Sequence, residues 1–68
     1  MKWRKEAKQQ AWIGRGAHSL AMVWLADGGY YVASTAQGLS YSTGPFSCAG
    51  KAKAFAMDLE DKAEAAEQ

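Results

Sequence analysis

The spacing of apolar and polar positions changes period along this chain, and each change marks an element. From Ser19 to Ala26 nearly every residue is apolar, and Val23 and Trp24 favour a strand. Asp27-Gly28-Gly29 follows and can supply the positive φ angles that tight hairpin turns require. The next run, YYVAST, is aromatic and β-branched, so the two runs read as a β-hairpin. Ala36-Gln37-Gly38 then suits a three-residue loop with Gly38 in the left-handed position. LSYST alternates apolar and polar and predicts a further strand at the sheet edge. Gly44-Pro45 stops it, because Pro45 has no N–H to give a ladder.

Beyond this point the period becomes helical. Ser47 is an N-cap candidate whose hydroxyl can accept from the first turn. Ala52, Phe55, Ala56, Leu59 and Ala63 fall on one stripe of a helix running from Cys48. Gly50 weakens its first turn by about 0.5–1 kcal/mol relative to Ala. At the other end of the chain two readings stay open. KWRKEAKQQA is rich in helix formers, with Trp3, Ala7 and Ala11 four residues apart, which predicts a short amphipathic helix. The competitor is an extended arm ending in a strand around Trp12-Ile13. The expected fold is α+β: a three- or four-stranded antiparallel meander packed on one C-terminal helix. Its parts are a basic segment over 1–16, the meander over 17–43 and the helix over 47–66.

The hairpin raises a question of cover. Directly opposed residues of an antiparallel pair share a face. With a two-residue loop at Asp27-Gly28 or Gly28-Gly29, Ala21, Val23, Leu25, Tyr30 and Val32 share one face. Leu20, Met22, Trp24, Tyr31 and Ala33 share the other. The first set suits the small apolar stripe of the helix. The second is large and aromatic, and a single helix covers only one side of a sheet. Three covers are open: the N-terminal segment folding back with Trp3 or Trp12, a second copy in a symmetric homodimer, or a different macromolecule. Tyr41 joins Met22, Trp24 and Tyr31 on that face only if the 36–38 loop has three residues.

Length and charge sharpen the picture. A chain of 68 residues is one small domain at most and has a modest core. Cys48 is the only cysteine, so no disulfide can form within the chain, and a lone thiol suits a reducing, cytoplasmic setting. The basic start followed by AHSLAMVWLA imitates a signal peptide. The basic part is long, however, His18 interrupts the apolar part, and no small-x-small site follows. No apolar run reaches the roughly 18 residues of a membrane span. The net charge of +1 hides an asymmetry. Lys2, Arg4, Lys5, Lys8 and Arg15 stand against Glu6 alone; Asp27 is the only charge in 19–50; acids outnumber bases after that. The helix charges oppose the helix dipole, with Lys51 and Lys53 early and Glu60, Asp61, Glu64 and Glu67 late, which favours a role in solubility.

Catalytic chemistry finds little support in these residues. His18 and Cys48 could form a nucleophilic pair, but no third group orients them, and Cys48 reads as an inert small hydrophobe. No metal cluster, phosphate loop or dinucleotide spacing is present, and no cofactor is expected. Asp27, Gly28, Gly44, Phe46, Ala52, Ala54 and Phe55 give residues 20–60 a resemblance to the three-stranded-sheet-plus-helix domains of integrase arm-binding and plant ethylene-response DNA-binding families. That resemblance implies a sheet backed by an Ala-rich helix. Those families read DNA with Arg and Lys on their strands. Residues 19–50 here hold neither, so no DNA role passes to the strand positions.

The sequence therefore predicts a small non-enzymatic protein-binding module. Size suggests an accessory or inhibitory protein of phage, mobile-element or bacterial origin. It would bind a protein partner or a second copy through Met22, Trp24, Tyr31 and Tyr41. The alternative is a nucleic-acid-binding protein that uses Arg4, Lys5, Lys8 and Arg15 on phosphates.

Overall fold

Asp27 and Gly28 form the two-residue loop of the central hairpin, with φ +93° at Gly28. The loop joins β3 (Ser19–Ala26) to β4 (Gly29–Ala36). Val23 opposes Val32, Trp24 opposes Tyr31 and Met22 opposes Ala33, as the parity argument requires for this loop. Gln37 (φ +54°) and Gly38 (φ +77°) make the next turn, into β5 (Leu39–Phe46). That turn also has two residues, not the expected three, because Gln37 accepts the left-handed conformation that the first turn position demands. β5 runs past Gly44-Pro45 to Phe46. Opposite Tyr31 the register shifts, with Val32 facing Thr43 but Tyr30 facing Phe46. An edge strand with a bulge can hold a proline that a central strand could not.

The sheet has five strands rather than three or four, because the basic N-terminal segment folds as a hairpin. β1 (Lys2–Glu6) and β2 (Ala11–Arg15) extend the meander in the order β1-β2-β3-β4-β5, every pair antiparallel. No N-terminal helix forms. The helix formers of residues 7–10 complete one tight turn, in which Gln9 N–H donates to the Glu6 carbonyl and Gln10 N–H to that of Ala7. A ten-residue helix is marginal without tertiary support. The hairpin supplies that support, because it brings both Trp3 and Trp12 against the core. Trp3 faces Gly14 across the ladder, and a Cβ on Gly14 would meet the Trp3 ring at 2.7 Å.

The computed structural model describes residues 1–66, which end in α1 (Ala49–Ala66). Ala52 N–H donates to the Cys48 carbonyl, so Cys48, one residue after Ser47, holds the cap position. Ala52, Ala56, Glu60 and Ala63 are the buried helix positions; Phe55 and Leu59 flank them half-buried. The core is Ala21, Val23 and Val32 on the sheet against Ala52 and Ala56 on the helix. Phe46 and Phe55 close one side with ring centroids 6.3 Å apart.

Two contacts tie the helix to the N-terminal half. Lys53 Nζ lies 5.3 Å from the centroid of Trp3 and 5.0 Å from that of Trp12. The ammonium thus sits over two indoles at once, each contact worth about 0.5–2 kcal/mol. Glu60, buried, accepts the Ser19 hydroxyl at 2.6 Å and the His18 backbone N–H at 3.1 Å from each of its oxygens. Gly16 leaves room for that carboxylate, since a Cβ there would fall on it.

The Ser19 hydroxyl holds the Glu60 pKa below its ordinary value of 4.5; burial pushes it up, and the His18 N–H helps bring it down. A depressed folded pKa means that folding favours the carboxylate. Its contribution is full above the unfolded value near 4.5 and is lost as pH falls through the lower folded value. Glu60→Gln should lower stability at pH 7 by about 1–2 kcal/mol and flatten the acid loss below about pH 5, read by urea unfolding across pH. An acid profile unchanged by Glu60→Gln would sink this account. Val23→Ala, which truncates a fully buried side chain, should cost about 2–3 kcal/mol in the same assay.

Candidate functional site: the open face of the sheet

Register sorts every strand residue onto the helix side or the open side. Three rows cross the open side, each made of directly opposed residues. The first is Lys2, Arg15, Leu20, Thr35 and Ser40. The second is Arg4, Ile13, Met22, Ala33 and Ser42. The third is Glu6, Ala11, Trp24 and Tyr31, and it ends at the Gly44-Pro45 bulge. Read across, the face runs from a basic edge on β1 and β2, through an apolar middle on β2 to β4, to a hydroxyl edge on β4 and β5. A shallow depression of about 430 Å³ lies over Ile13, Leu20, Met22 and Ala33 and reaches Thr35, Ser40 and Ser42.

No described residue covers the middle of this face. Leu20 and Met22, both on the central strand, are 49 % and 38 % exposed. Trp24 and Tyr31 stack against each other, centroids 6.0 Å apart and planes 21° from parallel. Such a pair is worth about 0.5–1.5 kcal/mol beyond its burial. Gly44 makes the Tyr31 position possible: a Cβ there would meet the ring at 2.6 Å. The Tyr31 hydroxyl donates to the Asp27 carbonyl at 3.4 Å, which fixes the ring toward the loop.

The structure brings Met22, Trp24 and Tyr31 together on this face. Tyr41 does not join them. The two-residue turn pairs it with Ser34, on the helix side, so the condition that would have placed it with Trp24 is not met. The N-terminal segment does not cover the face either. Trp3 and Trp12 pack against the core on the helix side, and the hairpin that carries them lengthens the sheet. Of the basic residues, Arg4 and Arg15 lie on the open face beside Met22 and Leu20, and Lys2 joins them. Arg4 is paired with Glu6 at 3.2 Å. Lys5 turns to the helix side, 5.5 Å from the Trp12 centroid, and Lys8 lies exposed in the β1–β2 turn. The candidate nucleic-acid residues are therefore split between the two sides.

Ile13, Leu20, Ala33 and Lys2 also belong to the open face, beyond the site residues that the sequence predicts. Leu20 and Ala33 follow from the hairpin parity. Ile13 and Lys2 would have followed had residues 2–15 been read as a hairpin. Among the described residues no three His, Cys, Asp or Glu side chains gather as a metal site needs. Cys48 is exposed, and no described helix is long and apolar enough to cross a membrane. Comparison with protein-family models, with characterised proteins and with solved structures finds no match. The resemblance to the integrase arm-binding and ethylene-response domains thus stands on its residues alone, and the five-stranded sheet departs from their three strands.

The face assignment can be checked one residue apart. Met22→Glu and Leu20→Lys should each stay within about 0.5 kcal/mol of the native stability when measured below about 1 μM protein. Val23→Glu, adjacent in sequence and pointing to the core, should not fold. Equal damage from Met22→Glu and Val23→Glu would show that the open face is buried.

Proposed function

We propose that this chain is a small non-enzymatic protein-binding module whose docking surface is the open face of the sheet. The observation that carries the reading is the exposure of Leu20 and Met22 on the central strand of a five-stranded sheet. Apolar side chains at the centre of a sheet, rimmed by charges on one edge and hydroxyls on the other, have the layout of an interaction surface. Met22, Trp24 and Tyr31 carry the reading, joined by Ile13 and Leu20. The hydroxyls of Thr35, Ser40 and Ser42 share this face with no His or Cys to activate them and, among the described residues, no metal-ligand set, so the chemistry it supports is recognition. Small size favours an accessory or inhibitory protein of phage, mobile-element or bacterial origin, acting in the cytoplasm.

One observation favours the second reading, nucleic-acid binding. Lys2, Arg4 and Arg15 share the face with Trp24 and Tyr31, so phosphate contacts and base stacking could coexist. Against it, the middle of the face is mostly aliphatic, and Ile13, Leu20 and Met22 have no π-face for a base. The cations also stop at β2.

Co-purification tests the docking reading. A tagged copy, mixed with untagged protein and cell extract, should retain a polypeptide, its own untagged chain or another, that a Met22→Glu copy does not. Retention of the same set by both copies would refute the reading. Retention of a 20-nucleotide oligonucleotide, weakening steeply between about 50 and 200 mM salt, would replace it with the second one.

A further inference from the structure

The open face carries its own complement, and we infer that its occupant is a second copy of this chain, packed face to face about a twofold axis parallel to β3. The inference rests on the docking reading above and names the partner of that site.

Two sheets can stack face to face with a twofold axis in the plane between them in two simple ways. An axis across the strands lays each strand near its own copy. With the axis through the central row, that arrangement sets the two Arg4 side chains over each other in a closing apolar interface, while the outer rows exchange, Lys2 over Glu6 and Arg15 over Ala11. Like charges so placed repel, and desolvation adds to the cost. An axis along the strands exchanges the edges instead. β1 then lies over β5 of the other copy, and β2 over β4. Arg4 meets Ser42, Lys2 meets Ser40, and Arg15 meets Thr35, so every cation of the face is opposed by a hydroxyl acceptor. Leu20, Met22 and Trp24, all on β3, each meet their own copies, and Tyr31 on β4 meets the small Ala11 on β2. A patch that matches itself under a twofold rotation is what an isologous interface requires.

The charge layout fits this arrangement and no uniform polyanion. Between 19 and 50 the chain holds no Lys or Arg, so β3, β4 and β5 bring no cation to meet the basic edge. The exposed acids of the helix, Asp58, Asp61 and Glu64, lie on the far side and would face outward in both copies. Aligned sheets with twisted strands pack about 10 Å apart at about −30°, which long side chains such as Arg4 can span. Five strands about 4.8 Å apart and five residues about 3.4 Å apart give a flat footprint on the order of 400 Å² per copy. Side-chain relief adds to that area. The flat total for the two copies, on the order of 800 Å², falls among weak, transient interfaces, so the dimer is weak and reversible.

Sedimentation of the purified protein across concentration tests this. The mass should rise from 7.3 kDa toward twice that between about 1 μM and 1 mM. Met22→Glu and Leu20→Lys, each verified as folded by circular dichroism, should remain at the monomer mass throughout. Ser42, exposed on the edge strand, gives a test of the axis itself. Ser42→Asp should tighten the dimer about 3- to 10-fold by meeting Arg4 of the other copy, and salt should erase the gain. Ser42→Lys should loosen it by a similar factor.

A wild-type protein that stays monomeric at 1 mM overturns the inference. So does a dimer that survives both Met22→Glu and Leu20→Lys, or one in which Ser42→Asp and Ser42→Lys act alike. A monomer that nevertheless retains another polypeptide in the co-purification leaves the docking reading standing with a different partner. A monomer that retains nothing removes both.

Discussion

The cross-strand pair Val23 and Val32 fixes the rest of this molecule. Both side chains are fully buried and directly opposed at the centre of the sheet. Side chains alternate along a strand, so this pair determines which half of every strand meets the helix. A slip of one residue would bring Trp24 and Tyr31 under α1. The helix offers Ala52, Ala56 and Ala63 there, the first two packed closely on the two valines. Small residues on the helix and β-branched ones on the sheet bring the layers close, and that closeness rejects the aromatic set. The apolar open face is thus a consequence of how the core is packed.

A helix is about 10–12 Å across and strands are about 4.8 Å apart, so one helix shelters two or three strands. α1 lies mainly over β4 and β3, with Phe55 reaching Phe46 on β5. β1 and β2 extend beyond it and must supply their own cover. They do so with Trp3 and Trp12, large enough to reach back to the helix flank, where Lys53 lies over both rings. The carboxylate of Glu60 closes the other end by gripping the β2–β3 turn. Lys53 and Glu60 are charged residues on the packed side of a helix, and each is tied to a specific partner across the layers. They set where along the sheet the helix rests, a task that a row of alanines cannot perform.

These tethers explain what was and was not legible in the sequence. The central hairpin, its register and the apolar helix stripe could be read locally, because turn chemistry and side-chain period both act over a few residues. The first hairpin could not be read that way. Its residues prefer a helix, and only the distant partners of Trp3 and Trp12 overrule that preference. The 36–38 turn is one residue shorter than the sequence predicts because Gln37, a side chain rarely left-handed, takes the conformation usually left to Asn or Gly. That single residue moves Tyr41 to the other side of the sheet. Glu60 looked like one more solvated acid on a charged helix, and nothing in its neighbours announced the loop it holds 41 residues away.

The same long-range pairing changes the meaning of the charge asymmetry. In the sequence, the basic start and the aromatic hairpin look like separate features that suggest rival partners. The sheet merges them: β1 pairs with β2 and β2 with β3, so Arg4, Ile13 and Met22 become neighbours in one row. A partner for this surface must satisfy a cationic edge and bury an aliphatic centre at once. Nucleic acid answers the first need and answers the second only at Trp24 and Tyr31. A protein surface can answer both. The hydroxyl edge of Thr35, Ser40 and Ser42 narrows the choice, because it offers acceptors without charge at the mirror position of the cations. A partner evolved separately would more naturally bring carboxylates to such an edge. Exchange of the two edges about β3 would set these acceptors over Lys2, Arg4 and Arg15 of a second copy.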